Sequence, residues 1–311
     1  MIRAALVSLA LMAAPAGAEV LFGNEVCRAV WAKIGDSLGE GLPVRGAISA
    51  MDGDWCVVEN PVLDLAGDYA LDWHADTLRF RGTALDLLLD GTITPDRLEV
   101  EVRNLRIVVQ TGNPQMDWLF AAQARANTID ADLALGWDAA ERVLRLEALN
   151  IDFPGANRIE AQALIRNVDL SSEGAMQMSL ASFALSEADL TVRTHGLFEW
   201  YVLMPLGPRY LPLEGDMDAA VAGIKAELTA TIADLPETTV SPGSKAALRA
   251  LIAELPNPAG DLTVSLRSEA GIGPARFAGY AVTGVPGTVA EAALVLDGVT
   301  VDVGWVHTDA D

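Results

Sequence analysis

The stretch 144-LRLEALNIDFPGANRIEAQALIRNVDL-170 begins as a strand with one apolar face and continues with the other. Leu144, Leu146 and Ala148 alternate with charged residues, and Leu149, Ile151 and Phe153 carry the alternation on one residue out of phase. Alternation with period two marks a half-buried strand. A phase change inside it means either two short strands meeting at a corner or one strand with an extra residue. The latter is a β-bulge, which returns the apolar side chains to the same physical face while bending and twisting the strand. The same step of three recurs from Val102 to Leu105 and from Ile165 to Val168. Recurrence favours a bulge in strand after strand, and a sheet built this way curves as a whole.

Outward from this stretch, period two runs from Val44 to about Thr194, clearest in LDLAGDYALDW, LRFRG, LEVEVRNLRIVV, IDADLALGW and MSLASFALSEADLTV. Asp90-Gly91 and Asp297-Gly298 are tight-hairpin signals. An apolar-polar-apolar box recurs at Leu85, Leu105, Ile129, Leu149, Val168 and Leu190, with starting positions 20, 24, 20, 19 and 22 residues apart. Two boxes share a lead-in, Arg103-Asn104-Leu105 and Arg166-Asn167-Val168. Such triplets arise by chance in Leu- and Asp-rich strands, but their near-regular spacing favours an architectural repeat.

Helical spacing appears at Val26, Val30, Ile34 and Leu38, and again from Asn113, a candidate N-cap ahead of Pro114. After Gly196 the character changes. LFEWYVLMPLGPRYLPL is apolar and aromatic, with Pro205, Pro208 and Pro212 arguing against one long helix. An alanine-rich helical stretch follows, then a helix capped by Ser241-Pro242, before strand pattern resumes at DLTVSLRS. These features predict a mainly β fold with an α segment: a curved antiparallel sheet, groove or half-barrel, with bulged strands, covered at one face or end by helices. The expected divisions are 1–18 signal peptide, 19–56 N-terminal helix and disulfide clip, 57–196 curved sheet, 197–257 helical segment, and 258–311 a β segment on the same sheet.

Residues 1–18, MIRAALVSLALMAAPAGA, read as a secretory signal cleaved before Glu19. The apolar run is short for a membrane span, so the mature chain is expected to be periplasmic and without an anchor. Cys27 and Cys56 are the two cysteines, an even count that in an exported chain points to a disulfide. A two-cysteine metal site has no histidine pair nearby to complete it. Acidic residues number 43 against 21 basic, a net charge of −22. That balance repels phosphate backbones and anionic membrane surfaces, so nucleic acid is excluded as a partner.

Chemical motifs are sparse. His74, His195 and His307 stand alone in sequence, and HExxH, GxSxG and phosphate-loop patterns are missing. His74 is expected to face solvent with Asp72. His195 would act in proton transfer only beside a carboxylate, for which Glu199 is the nearest source on a helix. Ser244-Lys245 resembles a dyad fragment at a helix start, where serine also serves as a cap. The pairs Asp52/Asp54, Asp130/Asp132 and Asp216/Asp218 lack the rest of a calcium loop and read as solvated surface. No metal, no cofactor and no catalytic residue is assigned. The least ordinary segment is 197–213, which either packs as core or forms an apolar lip for a lipid, a partner or a membrane; its candidate contact residues are Phe198, Trp200, Tyr201 and Met204.

The apolar boxes, the bulges, the export signal and the helical interruption together resemble the AsmA and TamB group of envelope proteins over about residues 57–194, with weaker echoes in 260–305. The resemblance implies a groove-forming sheet with an apolar interior, concerned with lipid handling or outer-membrane maintenance, and it carries no catalytic residues. The expectation is a non-enzymatic protein that binds a lipid or an envelope partner in a curved β-groove. A hydrolase using paired carboxylates, or a structural module without a small ligand, are the alternatives.

Overall fold

A computed structural model describes residues 23–37, 44–64, 71–83, 85, 96–212, 214–277 and 296–308. The signal-like segment, Asp90-Gly91 and most of the Leu85 box lie outside them. Among the described residues, eleven strands form one antiparallel sheet: β1 (Val44–Asp52), β2 (Trp55–Leu63), β3 (Leu71–His74), β4 (Thr77–Gly82), β5 (Arg97–Val109), β6 (Ile129–Asp138), β7 (Val143–Phe153), β8 (Asn157–Arg166), β9 (Ala184–His195), β10 (Ala259–Ile272) and β11 (Val299–His307). From β5 onward spatial order follows chain order, so successive strands are neighbours. β3 and β4 lie end to end between β2 and β5, as one strand interrupted at Ala75-Asp76. The sheet curls into a partial ring rather than a closed barrel.

The phase change in β7 is a bulge. Leu146 and Leu149 face Ala163 and Ala161 of β8, three steps against two, and on its other side β7 has the same one-residue excess over β6, where Leu146 and Ala148 face Leu135 and Ala134. β5 has its extra residue between Val102 and Leu105, opposite Ala131 and Ile129. Asn104 sits there at φ 54°, a left-handed conformation that asparagine tolerates better than most residues. Its backbone N–H donates to Asp130 Oδ1 at 2.7 Å and its side-chain amide to Asp76 Oδ2 at 2.9 Å. The donor that the bulge removes from the ladder is thus satisfied. A third bulge lies in β9 at Ser186, whose buried hydroxyl donates to Leu164 O at 3.1 Å.

Two segments depart from the sequence reading. Val168-Asp169-Leu170 does not prolong β8: the strand stops at Arg166, Asn167 turns the corner at φ 60°, and Val168 N–H bonds Arg142 O. The MSLAS part of the stretch read as a strand is helical, α3 (Glu173–Ser182), capped by Ser172 and held by buried Ser179 bonding Asp169 N. The strand starts only at Ala184.

Register places one apolar face across the whole sheet. Cys56 pairs with Phe80, Phe80 with Val100, Val100 with Leu133, Leu133 with Leu149, Leu149 with Ala161, and Ala161 with Leu190, continuing through Val264 to Val303. Paired residues share a face, so bulges keep this set in phase. The opposite face carries ion pairs: Arg79 with Asp52 and Glu101, Arg81 with Asp54 and Glu99, Arg103 with Glu101 and Asp132. Both Arg79 and Arg81 also stack on Trp55.

Helices cover this sheet unevenly. α1 (Asn24–Ser37) packs over β2 and β4, where Cys27, Val30, Cys56, Val58, Phe80 and Leu85 form the buried cluster. The Cys27–Cys56 disulfide ties the helix there, with Cα atoms 5.4 Å apart. At the other edge, α6 (Pro242–Glu254) packs on β11, while Thr239 O and Ser244 Oγ accept the Val301 and Val303 N–H groups and protect the strand edge. α5 (Met217–Asp234) lies antiparallel to α6. Lys225 of α5 donates to the carbonyls of Ala253 and Leu255, and Lys245 of α6 to those of Ala233 and Leu235. Each lysine thereby serves the unsatisfied C-terminal carbonyls of the other helix.

Between these covered ends the apolar face is only half-buried: Leu133, Leu149, Ile151, Ile159, Leu190 and Val264 all remain partly accessible.

Candidate functional site

At the end of the sheet where β5 and β7 finish and β6 and β8 begin, the apolar face opens into a cleft of about 640 Å³. Its floor is Leu105, Ile107 and Val109 of β5 with Ile129 of β6 and Trp73 of β3. Trp73 pairs with Ile107, and Leu105 with Ile129, so all of them project from the apolar face. One wall is α2 (Pro114–Ala126), which starts where predicted: Asn113 Oδ1 accepts the Gln115 and Met116 N–H groups and Pro114 occupies the first turn. Phe120, Gln123, Ala124 and Asn127 of this wall face the cleft, the spacing of one helical stripe.

The other wall comes from the turn after β7 and from the chain leaving β9. Asn157 ties them together. Its Oδ1 accepts the His195 N–H, and its amide donates to Pro154 O at 2.6 Å and His195 O at 3.2 Å. Gly196 then turns with φ 94°, and Leu197 is buried. Glu199–Leu203 forms a π-helical turn, continued by α4 (Met204–Tyr210). No one long helix forms here, in line with the three prolines: a five-residue π turn leads into a seven-residue helix that ends at Tyr210, ahead of Pro212. The wide turn, with Met204 N–H on Glu199 O, places Pro205 in the first turn of α4, where a missing donor costs little, and Pro208 is accommodated inside the short helix.

The four residues singled out in this segment fare differently. Trp200 and Tyr201 line the cleft, and the Tyr201 ring packs on Phe153 with centroids 4.9 Å apart. Burial pushes the Tyr201 hydroxyl above its usual pKa, so it stays a neutral donor. Phe198 is half-buried beneath the turn, its N–H bonding Thr194 Oγ1, while Met204 stands 64% exposed beyond the cleft. Trp200 is 69% exposed, so it belongs to an apolar lip and not to the core. Sequence reading missed Trp73, Ile107, Phe120 and Asn157. Trp73 continues the apolar phase of Leu71, and Asn157 follows a Pro-Gly turn, but only folding brings them to one place.

The chemistry of the remaining candidates is structural. Glu199 Oε1 accepts from Asn257 at 2.8 Å and makes no bond to His195; the His195 Nε2 lies 3.5 Å from Thr308 Oγ1. Among the described residues, none of those lining the cleft is an Asp or Glu. His307 bonds Glu254, which also accepts from Trp305. His74 is half-buried, contrary to expectation, and Asp72 is only 2% exposed because it accepts from Gln110 at 2.7 Å. Burial, and then the charge of Arg106, hold the His74 pKa below its usual value. Ser244 and Lys245 serve β11 and α5, as above. Asp52 and Asp54 pair with arginines, Asp130 and Asp132 with the β5 bulge and Arg103, and Asp216 caps α5.

Among the described residues there is no cluster suited to a metal ion and no helix long and apolar enough to cross a membrane. No protein-family model matches the chain, and no curated protein is significantly similar to it.

Proposed function

We propose that this protein binds the hydrocarbon chain of a lipid along the apolar face of its sheet, with the cleft between α2 and the 199–203 turn as the place where the chain is held. The observation that carries this reading is a single in-register apolar face left half-buried between two covered ends, opening into a cleft walled by Phe120, Trp200 and Tyr201. An apolar concavity of this size with few polar groups suits a small apolar ligand. Each methylene taken out of water contributes about 0.8 kcal/mol, so a chain of moderate length can overcome the cost of association. The disulfide fits an oxidising compartment, which supports action outside the cytoplasm, in the periplasm. Among the described residues the cleft lining holds no carboxylate, which does not favour the paired-carboxylate hydrolase there.

The test is native mass spectrometry of protein purified without detergent, with lipid extraction of the same sample. Stoichiometric lipid is the expected result. A folded protein that carries no lipid and takes none up from added lipid would refute the proposal.

A further inference from the structure

Among the described residues, 18 line the cleft, and of these Arg106 alone carries a fixed charge. That charge does not face the ligand space. Arg106 pairs with His74 in the register, one position off Trp73 and Ile107, so its side chain leaves from the opposite face of the sheet. There its guanidinium bonds Asp76 Oδ1 at 2.6 Å and Asn104 O at 2.9 Å. The amides of the lining are also committed in part: Asn127 donates to Gln123 O and Asn157 to Pro154 O. The other polar side chains among the lining residues are the indoles of Trp73 and Trp200, the Tyr201 hydroxyl, the Gln123 amide and the His195 ring, and the rest of the lining is apolar or glycine.

From this we infer that the cleft selects chains whose polar end is uncharged, such as an ester, a glyceride or an alcohol, and excludes carboxylate, phosphate and quaternary ammonium ends. The inference rests on the chain-binding reading above and adds the class of head group. A neutral end finds hydrogen-bond partners among an indole, a phenol and an amide. A charged end entering the same space is desolvated with no opposite charge to meet it. An anionic end is further opposed by the chain's charge of −22.

The experiment titrates the purified protein with three probes of equal chain length, monodecanoylglycerol, decanoate and decyltrimethylammonium, each below its micellar concentration. Binding is read from tryptophan fluorescence at pH 8. The expected result is an affinity for the glyceride at least tenfold above that for either charged probe. The variant Trp73→Arg, at a partly exposed position of the floor, adds a cation facing the cleft and should raise decanoate affinity severalfold while lowering that for the ammonium probe. Charged probes binding within threefold of the glyceride would overturn the selection and leave chain binding standing. No binding of any probe would overturn both.

Discussion

The α1 end of the sheet and its middle are built from the same alternation, yet one is a core and the other a trough. In β2 and β4, Val58 and Phe80 are sealed beneath α1 and the disulfide. In β6 and β7, Leu133 and Leu149 project from the same face, three and four strands along the path from β2, and stay half-buried. Side-chain pattern therefore fixes which face is apolar, whereas the covering element decides whether that face stabilises the fold or remains available to a ligand.

Single substitutions should separate the two regions. Phe80→Ala is expected to cost about 3–5 kcal/mol in urea unfolding, the range for a large side chain removed from a packed core. Leu149→Ala should cost about 1 kcal/mol, because a half-buried side chain surrenders only part of its transfer energy. Equal losses would abolish the distinction. The covalent clip gives the next effect: reducing Cys27–Cys56, whose sequence separation is 29, should remove about 3–4 kcal/mol by freeing the unfolded chain. Lipid uptake by the middle of the sheet should survive at temperatures where the reduced protein is still folded.

Asp130→Ala tests the bulge on which the curvature of the middle depends. Losing the acceptor for Asn104 N–H should cost about 1–2 kcal/mol, with a larger effect on ligand uptake than Leu149→Ala has. The smallest expected effects are acid dependences. Hydrogen bonds from Arg81 and Arg97 hold Glu99 below its usual pKa of 4.5. Its contribution is therefore present above that pH and lost as pH falls through the folded value; Glu99→Gln should flatten the acid limb of a stability profile. His74 has the opposite chemistry and the same slope. Its folded pKa lies below 6.5, so the unfolded chain binds the proton first and stability declines as pH falls below 6.5; His74→Gln should remove that decline.

The bulges in β5 and β7 were legible because large apolar residues stand on both sides of the phase change. The one in β9 was not: the step from Leu185 to Ala188 has the same length, but a lone alanine scarcely registers as apolar. The twin lead-ins are more instructive. Asn104 and Asn167 share a positive φ, of 54° and 60°, yet the chain re-enters the sheet after one and leaves it after the other. Leu105-Arg106-Ile107 finds β3 to pair with on its open side. Val168 is instead captured by the β6–β7 turn, where its N–H donates to Arg142 O, and by Trp137, whose indole N–H donates to Val168 O at 3.0 Å. Local sequence sets the turn, and the presence of a waiting neighbour sets its outcome. The cleft was less legible still. The 197–213 segment stood out by its aromatic content, but its partners Trp73, Phe120 and Asn157 come from three other elements, and no spacing in the sequence links them.

The extra residue sits in β5, β7 and β9, whereas β6 and β8 carry none against their neighbours. The unit of construction is thus a hairpin, one bent strand with one plain strand, and not the single strand. Duplicating such a unit would preserve the phase of every apolar side chain and add about 10 Å of trough, two inter-strand spacings, without altering its cross-section. A chain of this design can lengthen in whole hairpins, whereas a one-strand insertion would reverse the chain direction of everything downstream.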